Sequence, residues 1–154
     1  MATWQLFNDE AAQLAEAAQA RLRAAETHIL ASLRKDGSPR VSGTEVFPLG
    51  PDLVIGSMDG AVKAADLLHD SRFALHAHPA QDGADVKFSG HAHEITDAQT
   101  LRDIGQQAEP PGPARYFRLD LTEVVLTEVG DDQQHLLIRR WRPQEGVVAF
   151  KRYH

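Results

Sequence analysis

Chemistry in this sequence first concentrates where two glycines flank a serine and lead towards a lysine. The stretch Gly56-Ser57-Met58-Asp59-Gly60-Ala61-Val62-Lys63 reads as a strand running into a helix. A helix start leaves amide N–H groups unpaired, and its dipole favours an anion. Ser57 supplies a hydroxyl there, and Lys63, near the end of the first turn, a point charge. The two glycines stand one residue too close for a P-loop, and no Gly-Lys-Ser/Thr follows. Phosphate binding and a capped surface helix with a solvated lysine both fit these residues.

A second concentration is Arg40-Val41-Ser42-Gly43-Thr44. Period-2 alternation puts Arg40, Ser42 and Thr44 on one strand face, with Val41 and Phe47 on the other. Three polar groups in a row suit a phosphate or the polar edge of a ring, and Gly43 admits a flat ligand close to the backbone. An ordinary solvent-facing strand side has the same pattern.

The third is a histidine set, His76 and His78 on one strand and His91 and His93 on the next. Each pair shares a face, as a metal requires. In a hairpin with His78 opposite Asp85, however, His76 faces Lys87 and His91 faces Arg72. That register leaves His91 four residues from His76, about 13 Å away at 3.3–3.4 Å per residue. Arg72 and Lys87 on the same face repel a cation. A single four-histidine site is not expected, whereas Phe73, Leu75, Ala77, Val86 and Phe88 on the opposite face read as core. No Gly-x-Ser-x-Gly elbow, zincin helix, dinucleotide-binding glycine pattern or EF-hand loop occurs.

The elements that must position these groups follow from periodicity. Residues 9–25 read as a helix with Asn8 as N-cap, Asp9 and Glu10 in the first turn, and a narrow stripe of Leu14, Ala18 and Leu22. Strands are predicted at Ile29–Leu33, Arg40–Phe47, Leu53–Ser57, Phe73–His78, Asp85–Ile95, Arg115–Val129 and Gln134–Trp141. Short helices are predicted at Gly60–His69, capped by Ser57 or Asp59, and at Asp97–Ile104, with Thr96 and Gln99 as a capping box. Glu109–Pro113 reads as a stiff linker, and Val147–Phe150 as further strand content. Seven strands interrupted by three short helices predict an α+β, mainly β, antiparallel barrel with peripheral helices.

Composition bounds what such a barrel can be. The chain has 154 residues, 42% of them apolar and 25% charged, the size and mixture of one globular domain. It divides into an N-terminal helix (1–25), the barrel (26–142) and a C-terminal tail (143–154). The absence of cysteine excludes disulfides, thiolate metal sites, iron–sulfur clusters and a cysteine nucleophile. No basic leader followed by an apolar run is present, and no membrane-spanning run, which predicts a cytoplasmic protein. The net charge of −6 is uneven: Arg139–His154 carries +4 and the remainder −10. So acidic a body is not expected to bind nucleic acid.

Several of these segments together resemble the pyridoxamine 5′-phosphate oxidase-like split barrels that bind flavin or deazaflavin. The opening Ile29–Ser42 is similar to the family's first strand–turn–strand. Leu53–Ser57, Lys63 and Asp70–His76 resemble the middle of its barrel; Asp85–Glu94 and Trp141–Gly146 resemble its second half. The resemblance covers about residues 26–150. It implies a homodimer with cofactors in grooves at the subunit interface, the phosphate near Arg40, Ser57 and Lys63 with Met58 beside them, and the ring near Ser42, Gly43 and Thr44. Trp141 of the partner would wall the substrate side, and the tail arginines would cross to an anionic cofactor or substrate. Oxidase members carry Ser-Arg before the helix lysine, where this chain has Ala61 and Val62, and a lysine where it has Glu45. Pyridoxamine phosphate oxidation is therefore not expected. The sequence looks closer to an actinobacterial branch, some members of which use coenzyme F420. The implied function is an FMN- or F420-dependent oxidoreductase acting on a small molecule; a non-catalytic flavin- or haem-binding barrel is the alternative.

Overall fold

A computed structural model of the chain describes residues 1–107 and 114–153, with side chains omitted at 106 and 107. The expected linker Glu109–Pro113 lies outside the described residues. Eight strands form one antiparallel sheet: β1 (His28–Leu33), β2 (Pro39–Leu49), β3 (Asp52–Met58), β4 (Arg72–His76), β5 (Asp85–Glu94), β6 (Ala114–Val129), β7 (His135–Arg142) and β8 (Gly146–Tyr153). The order is β3-β2-β1-β4-β5-β6-β7-β8, and β3 also pairs with β6, which closes the first six into a barrel. Closure removes the edges that an open sheet leaves unpaired.

The length of β6 makes this possible. Its first residues, Ala114–Arg118, pair with β3; Phe117–Thr127 pair with β5; Val124–Val129 pair with β7. The strand bends at a bulge between Ser89 and Gly90, where Thr122 has no partner in the register. Gly90 is required there, because a Cβ would lie 1.8 Å from the carbonyl oxygen of Asp120.

Register defines the two faces of the wall. Ser42, Leu30, Leu75, Phe88, Val124 and Trp141 form one cross-strand row facing inward. The adjacent row of Gly43, Ile29, His76, Lys87, Val125 and Arg140 faces outward. The alternation of Ile29, Ala31 and Leu33 marks a strand, but the buried side is the other one: His28, Leu30 and Ser32. Buried partners make this tolerable. Ser32 Oγ donates to Asp66 at 2.8 Å, and His28 is bonded through both ring nitrogens.

Two helices, rather than the single helix expected at 9–25, pack onto the barrel core. α1 (Trp4–Glu10) is capped by Thr3, whose Oγ1 accepts from the Leu6 N–H at 3.0 Å. Ala11 leaves the helical region (φ −141°, ψ 57°), and α2 (Ala12–Arg23) follows. Asn8 is therefore not a cap; its amide donates to the Trp4 carbonyl inside α1. The break lets Trp4 and Phe7 and then Leu14, Ala15, Ala18 and Leu22 all enter the core, which one straight helix with a narrow stripe does not achieve. α3 (Val62–His69) packs on β1 and β5. α4 (Ala98–Gln107) lays Leu101 and Ile104 over an outer patch of Phe47, Leu49, Val54, Ile95 and Tyr116. Its start is held by Asp97, which accepts from the Thr100 N–H at 3.0 Å, not by Thr96 and Gln99. No helix among the described residues is long and apolar enough to cross a membrane.

Candidate functional site

The start of α3 lies against β2, and together they border an open groove of about 520 Å³. The chain reaches it by leaving β3 at Met58 and turning at Gly60, whose φ of +81° suits glycine. The Ala61 N–H closes the turn on the Met58 carbonyl at 3.0 Å, and α3 then begins without a side-chain cap. Neither Ser57 nor Asp59 caps it, contrary to the sequence expectation. Ser57 is 5% exposed at the end of β3, opposite Arg115, and Asp59 lies 3.8 Å from the Arg115 guanidinium.

Four of the eight residues singled out from sequence meet in this groove: Arg40, Ser42, Gly43 and Lys63. Lys63 Nζ donates to the Gly43 carbonyl at 2.8 Å, which ties the helix to the strand. Burial lowers the Lys63 pKa below its usual range, and the Glu45 carboxylate opposes that shift. A Cβ at Gly43 would meet nothing within 4 Å, so the backbone there is open on the groove side. Arg40 is not free. Its Nε donates to Asp66 Oδ2 at 2.7 Å, and Asp66, 6% exposed, also accepts from Ser32.

The other four lie elsewhere. Thr44 is buried in the barrel wall with its hydroxyl 3.3 Å from the Gly56 carbonyl, and Ser57 is buried beside it on β3. Met58 projects into solvent, 79% exposed. Trp141 lies away from the groove: it is fully buried, packed on Phe7 at 4.9 Å between ring centres, with Nε1 donating to Glu10 at 3.1 Å.

Sequence reasoning missed Asp66. Its signal was an acid on the buried stripe of α3, between Ala64 and Leu67. Such a carboxylate needs a cation or hydroxyl packed over it, but which one depends on strands far away in the chain.

The histidines adopt the register their spacing implies, His76 opposite Lys87 and His91 opposite Arg72. His91 and His93 stack at 6.4 Å, and His91 Nδ1 shares a hydrogen bond with the Ser71 hydroxyl at 2.7 Å. Among the described residues, no group of three or more His, Cys, Asp or Glu is placed to hold a metal ion. The same outer wall carries a second groove of about 400 Å³, floored by Ile29, Ala31, Ala74 and Val125 and edged by His76 and Lys87.

The basic tail is a strand. β8 pairs along β7, while Arg139 and Arg142 are salt-bridged to Glu128 and Glu123 of β6. β8 exposes Val147, Val148, Phe150 and Tyr153 together with Lys151 and Arg152.

A family model described as Pyridoxamine 5′-phosphate oxidase matches residues 14–128. No curated protein matches the sequence. Among solved structures, PhzG from Burkholderia lata, in complex with tetrahydrophenazine-1-carboxylic acid, superposes with a TM-score of 0.64 at 15% identity, covering 93% of this chain and 89% of its own. A pyridoxamine 5′-phosphate oxidase-related, FMN-binding protein from Nostoc punctiforme gives 0.66 at 12% identity over 90% and 95%. A haem-binding protein from Mycobacterium smegmatis gives 0.55 at 15% identity over 90% and 88%. At these identities the three likenesses establish the fold.

Proposed function

Since the chain belongs to the pyridoxamine 5′-phosphate oxidase family, we propose that it is a flavin- or deazaflavin-dependent oxidoreductase, binding FMN or coenzyme F420 in the groove between β2 and α3. The observation that supports this best is the convergence of Arg40, Ser42, the open backbone of Gly43 and Lys63 on one groove. These groups fit an anionic, flat ligand: two cations for phosphate, and a hydroxyl with unobstructed backbone for a ring edge. Arg34 adds a third cation at the rim. Thr44 and Ser57, both buried, support the wall and do not reach the ligand.

The bound cofactor would supply hydride transfer to or from a small molecule, and the protein its position and charge. Lys63 and Arg40 would hold the phosphate, each already oriented by a protein acceptor, the Gly43 carbonyl and Asp66. Ser42 would hydrogen-bond the polar edge of the ring. No acid or base of the chain is assigned a proton in the reaction. Ala61 and Val62 at the helix start, and Glu45 on β2, argue against pyridoxamine phosphate as substrate.

The outward apolar residues Ile29 and Val41, 37% and 71% exposed, support a homodimer formed through the outer wall. The exposed lysine and arginine of β8 are the groups that would approach the partner's groove.

An absorption spectrum of the freshly purified protein, followed by titration with FMN and F420, tests the reading. One of the two is expected to bind with micromolar affinity or better, and Lys63→Ala to weaken it about tenfold or more. A colourless protein that takes up neither ligand overturns the proposal, and unchanged affinity in Lys63→Ala removes the role given to that lysine. Binding without turnover of any reducible substrate selects the non-catalytic alternative.

A further inference from the structure

The groove contains more negative charge than its lining suggests. Arg34, Arg40 and Lys63 are its cations. Asp66 lies beneath it, 6% exposed, with Oδ2 accepting from both Arg40 and Ser32. Glu45 stands two residues beyond Gly43 on the same outward side of β2, and its charge acts on the Lys63 ammonium. Two carboxylates thus offset two of the three cations before any ligand arrives.

One net positive charge remains. A phosphomonoester, a dianion above pH about 6, would leave the groove negative, whereas a phosphodiester, a monoanion, would leave it neutral. Beside the largely buried Arg40–Asp66 pair an uncompensated charge is costly, because solvent screens it poorly there. Asp66 also fixes which edge of Arg40 is free: the guanidinium is bound through Nε, so its terminal nitrogens are the ones left to face a ligand.

Resting on the phosphate-binding reading above, we propose that Asp66 sets the specificity of this groove, tuning it for a singly charged phosphodiester over a doubly charged phosphomonoester. Asp66 acts through Arg40: it is a positioning and charge-setting residue and does not touch the ligand.

Three ligands that share one ring separate the effect of phosphate charge from that of ring binding: riboflavin (no phosphate), riboflavin 4′,5′-cyclic phosphate (one charge) and FMN (two charges). Their affinities are measured by fluorescence quenching at pH 8 and pH 5. The wild type is expected to bind the cyclic ester about tenfold more tightly than FMN at pH 8. At pH 5, where FMN takes up a proton, that preference should shrink towards unity. Asp66→Asn keeps acceptors for Ser32 and Arg40 but removes the charge; it should tighten FMN about tenfold at pH 8 and leave riboflavin unchanged. Glu45→Gln, at an exposed position, should shift the ratio the same way by a smaller factor, and it carries the test if Asp66→Asn does not fold.

FMN binding as tightly as the cyclic ester in the wild type at pH 8 overturns the inference. So does an ester ratio that neither substitution changes. If riboflavin binds as well as both esters, the phosphate reading itself fails, and if none of the three binds any of the proteins, this inference and the FMN half of the functional proposal fail together.

Discussion

His28 makes both of its ring hydrogen bonds inside the barrel: Nε2 lies 2.9 Å from the Leu22 carbonyl, and Nδ1 accepts the His78 N–H at 2.9 Å. That arrangement assigns the proton to Nε2 and leaves no room for a second one at Nδ1. Burial lowers its pKa below 6.5, and the nearby His78 adds to the effect. The unfolded chain therefore takes up a proton near pH 6.5 that the folded chain refuses, so stability falls as pH drops below that value. Denaturant titrations between pH 7.5 and pH 5 should show this decline, and His28→Gln, which offers the same donor and acceptor without titrating, should flatten it. The contrast between His28 and Lys63 shows what single residues reveal of a site. Arg40, Ser42, Gly43 and Lys63 were legible because alternation and a helix start require only local sequence. Asp66 and His28 were not, since an acid or an imidazole acquires its role from what packs across it. Trp141, which the resemblance put on the partner's substrate side, is packed under α1 against Phe7, a contact that depends on residues far away in the sequence.

At the scale of elements, the bulge at Gly90 is where sequence and geometry meet most tightly. Gly90→Ala would drive a methyl into the Asp120 carbonyl and disturb the strand that bends the wall. A loss of about 3 kcal/mol or more in denaturant unfolding is expected, and a loss under about 1 kcal/mol would show that the bulge relaxes easily. All seven barrel and hairpin strands read from alternation and turn residues are present, within a few residues at each end. The misses share a cause. α1 was invisible because Trp4-Gln-Leu-Phe7 is too short for periodicity to register, and its helix depends on tertiary burial of Trp4 and Phe7. The phase of β1 was ambiguous because both faces carry apolar residues, and only His28 and Ser32 finding buried partners settles it. β8 was read only as strand content in a tail, since an edge strand exposed on both faces carries no alternation of apolar and polar residues.

For the molecule as a whole, the outer wall sets the expected quaternary state. Ile29→Glu together with Val41→Glu places two carboxylates on the exposed apolar surface without touching the core. Sedimentation velocity should show the wild type as a dimer and the double variant as a folded monomer with unchanged far-UV circular dichroism. A wild type that sediments as a monomer at micromolar concentration would remove the dimer reading. The long β6 has a further consequence, for the order in which this protein comes into being. It supplies both the partner that seals β3 and the wall beside β5, yet it lies late in the chain, after α4. Contacts between residues so far apart in sequence form slowly, because the intervening loop must close first. During synthesis the earlier strands can curl into a sheet, but β3 keeps a bare edge until Ala114–Arg118 emerge. A nascent chain paused before that point presents an open strand next to the future groove between β2 and α3, the kind of surface to which strands of other chains add. Slow translation through residues 59–113 should therefore favour aggregation over folding, whatever the stability of the finished barrel.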